Sequence, residues 1–351
     1  MIIKSRIHDY EVDITHSFDF LENLNLPNAF YVFDKNVYTL YQNRLDVFPK
    51  DRVFLLEALE ENKTIDTALE ICEKMTTLPT KRNTVLVSFG GGIVQDVTGF
   101  VANILYRGID WIFVPTTLLA ACDSCIGGKT SINYKKFKNL LGTFYPPKKI
   151  IINPDFFNTL SGTDYASGLG EVIKFNVMGG SDNLKRIEYD MKGLLSRDAS
   201  SVNRYVEQSL EFKRLYIEKD EFDKAERILL NFAHTFGHAF EVTSKYAIPH
   251  GTAVAIGMSV ANRISVQRGI LSEHVADSID SMVRQIVRIP INRQWFDVSQ
   301  IVEVIRKDKK QTSDALTAIL MDNDFTLRVI KDLNNAEISV SIDIVLDKVL
   351  G

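Results

Sequence analysis

Cysteine, tryptophan and histidine are scarce in this chain of 351 residues, which holds 3, 2 and 6 of them. Three cysteines, Cys72, Cys122 and Cys125, cannot build a disulfide framework, and the expectation is a reduced, cytoplasmic protein. An excess of either charge is also missing. The net charge of −4 argues against general nucleic-acid binding. No uncharged apolar run approaches the ~18 residues of a membrane span. The opening "MIIKSRIHDYEVDI" has no apolar core of signal-peptide length. Internal repeats and low-complexity tracts are absent. What is present is ordinary globular composition, 45% hydrophobic and 25% charged, with length enough for two domains.

The first half alternates short apolar runs with helical ones. "AFYVFD" (29–34), "NTVLVSF" (83–89), "WIFVP" (111–115) and "KIIIN" (149–153) read as strands. "TIDTALEICEKM" (64–75) and "VQDVTGFVANILY" (94–106) read as helices. Continuous apolar strands between helices predict a parallel sheet covered on both faces. Beyond "INPDFFNTL" helices dominate, at about 164–178, 184–195, 200–218, 225–245, 251–268 and 273–287, with a hairpin at "ALTAILM" and "TLRVIKD". The expected division is residues 1–155, an α/β Rossmann-like domain, and 156–351, a mainly helical domain.

Chemistry concentrates in "RILLNFAHTFGHAFE" (227–241). Read as one helix, it puts Arg227, Asn231, His234 and His238 on one face of an otherwise apolar element. Buried polar groups need partners, so the stripe is either a hydrogen-bonded core network or a metal or anion site. The spacing H-T-F-G-H lacks the glutamate of a zinc protease, because Thr235 stands there. A third histidine, His250, follows in "IPHGTAVAIGM". A catalytic zinc takes about three His or carboxylate ligands and keeps a position for water or substrate. Glu171 in "GLGEVIKF" offers a carboxylate, with Lys174 one turn on; a plain buried salt bridge is the alternative for that pair.

Two further stretches carry signals. In "NTVLVSFGGGIVQDVTGF" a strand enters Gly90–Gly92 and then a helix, which suits a pyrophosphate at the helix N-terminus or a tight turn needing positive φ. Asp96 is polar in an apolar context there, and Thr116 and Thr117 of "VPTT" stand at a strand's C-terminal end, where ligands lie in open α/β sheets. "DSCIGGKTSINYKKFKNLLGTFYPP" is not a P-loop, yet its Gly-flanked Lys129, with Lys138 and Asn139, suits an anionic ligand. The charges from Lys135 to Lys138 read as a solvated loop. Cys122 and Cys125 lack a second pair and read as two small buried side chains.

Together these blocks resemble 3-dehydroquinate synthase, within the sugar-phosphate cyclases. The matching stretches are "SFGGGIVQDVTGFVANILYRG", "VPTTLLAACDSCIGGKTSIN", "KNLLGTFYPP", "GLGEVIKF", "RILLNFAHTFGHAFE", "HGTAVAIGM" and "DKK", in family order over about residues 34–310. The resemblance implies a Rossmann-like N-terminal domain, a helical metal-binding C-terminal domain and a homodimer. It implies NAD and a divalent metal, zinc or cobalt, and a small anionic sugar-phosphate substrate. The implied reaction converts 3-deoxy-D-arabino-heptulosonate 7-phosphate to 3-dehydroquinate and phosphate, through transient oxidation by NAD, phosphate elimination, reduction and aldol closure. The implied metal ligands are Glu171, His234 and His250, with His238 lining the site. Implied substrate contacts are Asp123, Lys129, Asn139, Lys174, Lys213, Arg227, Asn231 and Lys310, with Arg107 reaching a phosphate from the dimer partner. Implied NAD contacts are Asp34, Asn36, Glu60, Lys63, Gly91, Gly92, Asp96, Thr116, Thr117, Lys138, Phe156 and Thr159.

The chain departs from the family pattern at Thr252, usually glutamate, and at Phe232-Ala233, usually Leu-Gly or Phe-Gly. "GGSDNLK" and "FDKAERILL" are also unlike it. These leave room for a paralogue acting on sedoheptulose 7-phosphate or glucose 6-phosphate. Sedoheptulose cyclases lack the second histidine of the metal helix, and here His238 and Asn231 are both present. A metal-dependent alcohol dehydrogenase is the other rival, but a simple alcohol needs no cationic cage of Lys129, Lys174 and Lys213.

Overall fold

The computed structural model describes residues 1–135, 137–307 and 316–351. It divides into two compact units, Met1–Thr159 and Leu160–Gly351.

The first unit is an α/β unit. Its strands are β1 (Ile2–Ile3), β2 (Tyr10–Ile14), β3 (Ala29–Asp34), β4 (Val53–Leu56), β5 (Val85–Gly90), β6 (Trp111–Pro115), β7 (Lys129–Tyr134), β8 (Phe137–Phe144) and β9 (Lys149–Ile152). Its helices are α1 (Phe20–Leu24), α2 (Lys35–Leu40), α3 (Gln42–Leu45), α4 (Ile65–Thr76) and α5 (Gly92–Ile104). Seven strands form one sheet in the order β1-β2-β9-β6-β5-β3-β4. Every pairing in it is parallel except β1 with β2. The central strands are apolar on both faces, with Val32, Phe33, Val87, Phe89, Phe113 and Val114 all buried, as a sheet covered on two sides requires. Because β3, β5 and β6 run parallel, their C-terminal residues Asp34, Gly90 and Pro115 emerge at one edge.

At residues 137–138 the structure departs from the loop reading. Phe137 and Lys138 belong to β8, which pairs antiparallel with β7 in a separate hairpin registered at Thr130↔Thr143. The strand was hidden because β8 is largely exposed on both faces, so no alternation of apolar and polar residues marks it.

The second unit is mainly helical: α6 (Gly162–Met178), α7 (Ser181–Leu195), α8 (Ala199–Lys219), α9 (His234–Thr243), α10 (His250–Gln267), α11 (Glu273–Ile286), α12 (Val298–Lys307) and α13 (Asn335–Val345). The expected hairpin is present as β10 (Leu316–Met321) and β11 (Leu327–Leu333). Helix α10 is buried nearly throughout, from Gly251 to Ser265, and α6, α9, α11 and α13 pack on it. A helix with no solvent face is the centre of its unit.

The single helix expected over 225–245 is not formed. Glu226–Asn231 is a 3-10 turn, Phe232 is extended (φ −47°, ψ 136°), and Ala233 is left-handed (φ 71°, ψ −21°) before α9 starts at His234. The packing explains the break. A Cβ on Gly257 of α10 would lie 2.4 Å from the Ala233 carbonyl oxygen, so the backbone at 233 is seated directly on α10.

Candidate active site

In the second unit, three helices bring Glu171, His234 and His250 together. Helices α6 and α10 meet backbone to backbone. A Cβ on Gly170 would fall 2.0 Å from the Gly251 carbonyl oxygen, and a Cβ on Gly251 would fall 1.8 Å from that of Ser167. Ser167 Oγ accepts the Gly251 N–H at 2.9 Å, fixing the start of α10. Glu171 and His250, each beside one of these glycines, are therefore forced close. Helix α9 sets His234 at its own first position and presents it to the same point.

The distances define a small cluster. His234 Nε2 and His250 Nε2 lie 3.4 and 3.6 Å from Glu171 Oε1, and Lys174 Nζ lies 2.5 Å from Oε2. One donor atom from each of Glu171, His234 and His250 falls within 4.8 Å of the others. The Glu171 side chain is 0% exposed, and neither of its oxygens accepts a hydrogen bond of good geometry. A buried carboxylate held only by ionic neighbours is costly, and a cation among oxygen and imidazole ligands satisfies it. The donor set therefore fits a divalent metal of the zinc type. The His250 imidazole shows the same demand. Burial works against its charged form, but Glu171 and Glu241 outweigh it and push its pKa up to about 10.

Other expected residues lie on the same or neighbouring elements. The His238 ring stands edge-on to His234, with centroids 5.3 Å apart. Lys174 Nζ donates to the Leu230 carbonyl at 3.2 Å, tying α6 to the 226–231 turn that carries Arg227 and Asn231. Arg227 is buried, and its guanidinium donates to the Glu221 carbonyl. The Asn231 amide donates to the Ile228 carbonyl at 2.9 Å. Lys213, also buried, lies on α8, which packs on both α6 and that turn. Lys310 lies outside the described residues.

In the first unit, the expected cofactor residues gather at the C-terminal edge of the sheet. Asp34 ends β3 and accepts the Asn36 N–H at 2.8 Å. Gly91 stands at the head of α5, where a Cβ would press on Thr117 at 3.0 Å; at Gly92 the nearest side-chain atom would be 3.9 Å off. Neither glycine has positive φ, so at Gly91 close approach to Thr117 rather than a strained turn accounts for the residue. The Thr116 N–H donates to the Gly90 carbonyl at 2.9 Å, while its buried hydroxyl has no partner. An orphan hydroxyl beside an open helix N-terminus fits a dinucleotide. Phe156 stacks edge-on against Tyr41 at 4.8 Å, and the Tyr41 hydroxyl lies 3.1 Å from Thr159 Oγ1.

Asp96 anchors a polar network on the hairpin. Its carboxylate pairs with Lys63 and accepts the Ser131 N–H at 3.0 Å. Lys63 Nζ also reaches Asn139 Oδ1 at 2.6 Å. Asn133 donates to Glu60 Oε1 at 2.8 Å, and Lys138 Nζ lies 3.8 Å from the same carboxylate oxygen. Desolvation raises the Asp96 pKa, against the pull of Lys63. Ser131 and Asn133 had no sequence signal of their own. Lys129 is exposed at the start of β7, Asp123 is half-buried in the turn before it, and Arg107 is exposed at a left-handed turn (φ 68°). Cys122 and Cys125 are buried, with their thiols directed at the Leu119 and Ala121 carbonyls of their own turn.

The family comparison agrees with both halves. The profile described as 3-dehydroquinate synthase N-terminal matches residues 53–167, and that described as 3-dehydroquinate synthase C-terminal matches 168–311. The chain belongs to the 3-dehydroquinate synthase family. A 3-dehydroquinate synthase of Clostridium tetani is 35% identical over 296 residues, covering 84% of this chain and 79% of that protein. Among solved structures, the 2-epi-5-epi-valiolone synthase of Streptomyces hygroscopicus, with NAD+ and Zn2+ bound, superposes with a TM-score of 0.86 at 21% identity, covering 99% of each chain. A 2-deoxy-scyllo-inosose synthase complexed with carbaglucose-6-phosphate, NAD+ and Co2+ gives 0.84 at 22% identity, again over 99% of each. At such identities these two establish the cyclase-like fold. No helix among the described residues is long and apolar enough to cross a membrane.

Proposed function

We propose that this chain performs the 3-dehydroquinate synthase reaction, converting 3-deoxy-D-arabino-heptulosonate 7-phosphate to 3-dehydroquinate and phosphate, as a carbon–oxygen lyase. The observation that carries the reading is the convergence of Glu171 with His234 and His250 in a chain matched to that family across both units. Glu171, His234 and His250 would hold the divalent cation, and Asp34, Gly91, Gly92, Asp96, Thr116 and Thr117 the dinucleotide. When bound, the cation supplies Lewis-acid polarisation of substrate hydroxyls and NAD supplies a transient hydride acceptor.

The chain's own residues do the rest. Lys174, Lys213 and Arg227, all buried, form a cationic set suited to a substrate with both carboxylate and phosphate. Arg227 can clamp either group with two parallel N–H donors, whereas the lysines act as point charges. Asn231 and His238 offer hydrogen bonds to ring hydroxyls. Burial of Lys174 and Glu171 keeps bulk water from the cations, which strengthens their hold on an anion. Lys129, Asn139 and Asp123 are assigned to substrate as well, and Arg107 to the phosphate bound by a second copy in a homodimer. Cys72, Cys122 and Cys125 form no disulfide, which supports a cytoplasmic setting.

The test is direct. Purified protein with zinc and NAD is offered the heptulosonate phosphate, sedoheptulose 7-phosphate or glucose 6-phosphate, and phosphate release is followed with absorbance of NADH. Release from the first substrate without net NADH is expected. Release from only one of the others, or net NADH from a simple alcohol, overturns the reading.

A further inference from the structure

Glu241 takes no part in the roles assigned above, yet it touches one of the three cluster residues directly. His250 Nδ1 lies 3.1 Å from Glu241 Oε2. An ionised carboxylate only accepts, so Nδ1 carries a proton toward Glu241, which leaves Nε2, 3.6 Å from Glu171 Oε1, as the ring atom that would give up its own proton to take a cation. His234 has the same Nδ1 proton for a different reason: its Nδ1 lies 3.0 Å from the Phe232 carbonyl oxygen, which is also an acceptor only. Its Nε2 faces Glu171 at 3.4 Å. Both rings thus aim the same atom at the same carboxylate. One is held by a backbone carbonyl in the break before α9 and the other by a carboxylate on α9 itself.

The side chains differ in how much they need that anchor. His234 is buried at a helix start, with its side chain 11% exposed, whereas that of His250 is 32% exposed. The more open ring has more freedom to turn, and its partner is the charged one. The Glu241 side chain is itself 15% exposed and is carried one turn beyond His238 on the same helix.

We infer that Glu241 is a positioning residue for the metal site. It fixes the tautomer and direction of the His250 ring and makes Nε2 a better donor, without itself contacting the cation. The inference rests on the Glu171–His234–His250 reading. Direct ligation by Glu241, with His238 and His250, is the competing arrangement, because those donor atoms also lie within 4.8 Å of one another.

Zinc affinity of the full-length protein, measured by chelator competition, separates these cases. Glu241→Ala is expected to weaken zinc about 10–100-fold. Glu241→Gln keeps an oxygen acceptor and is expected to recover part of that loss. Both metal-free variants are expected to stay folded with a cooperative unfolding transition, and a metal-free Glu241→Gln that does not fold overturns the positioning role. In a His250→Ala background, Glu241→Ala is expected to cost nothing further, because the ring it acts through is gone. Wild-type affinity in Glu241→Ala, with affinity lost in His250→Ala, overturns this inference and leaves the metal site standing. An undiminished effect of Glu241→Ala in the His250→Ala background makes Glu241 a ligand and also overturns it. Wild-type affinity in His250→Ala itself overturns the metal site and the inference together.

Discussion

Gly251 lies so close to Ser167 that a methyl group on it would stand 1.8 Å from the Ser167 carbonyl oxygen. This contact lets the residues beside it, His250 on α10 and Glu171 on α6, share one point. Gly251→Ala must part the two helices. It is expected to destabilise the protein by at least about 2 kcal/mol, because a backbone carbonyl cannot step aside as a flexible side chain can. Zinc stoichiometry should fall with it. Denaturant unfolding and metal analysis check both effects.

Ala233 holds a left-handed conformation (φ 71°) that costs a non-glycine residue roughly 1–2 kcal/mol. Glycine removes that strain but gives the unfolded chain more freedom, worth roughly 0.5–1 kcal/mol. Ala233→Gly is therefore expected to raise stability by up to about 1.5 kcal/mol, the balance of these terms. Thermal unfolding measures it, and phosphate release should be retained.

Asp220 shapes the loop before Arg227. Its carboxylate accepts the N–H groups of Lys224 at 3.0 Å, Ala225 at 2.6 Å and Arg227 at 3.1 Å. Desolvation opposes the charged form, but these hydrogen bonds and the Arg227 charge hold the carboxyl below its ordinary range. A depressed folded pKa gives stability that is present above the unfolded value of about 3.9 and lost as pH falls through the folded one. Asp220→Asn is thus expected to be less stable than wild type at neutral pH, and the two should converge in strong acid. Its KM for substrate should rise more than its kcat falls, since Arg227 is assigned to binding.

Asp96 and Lys63 form an ion pair with side chains 20% and 7% exposed. Asp96→Ala leaves a nearly buried ammonium without its carboxylate. The expected destabilisation is somewhat below the ~3–5 kcal/mol of a fully buried pair, because Asp96 keeps contact with water. NAD affinity, read by fluorescence titration, should fall in the same variant.

Much of this was legible in the sequence. Strands such as Trp111–Pro115 and Ala29–Asp34 announced themselves because burial on both faces makes them apolar throughout. Glu171, His234 and His250 stood out as polar groups in apolar helices, and the structure brings them together. The break at Phe232-Ala233 was barely legible, because an alanine by itself gives no sign of a left-handed residue; the glycine usual there in the family was the one trace, and the seating on Gly257 requires the turn. The β8 strand was missed because exposure on both faces erases period-two patterning. Glu241 had a faint signal, sharing the α9 face with His238, but its bond to His250 depends on where α10 begins.

The central claim is that one divalent cation is held by Glu171, His234 and His250 together. Anomalous diffraction at the zinc edge from crystals of the zinc-loaded protein tests it most directly. The account predicts a single strong peak in coordinating contact with the Glu171 carboxylate and both Nε2 atoms. A peak elsewhere, or none within reach of all three side chains, would contradict it.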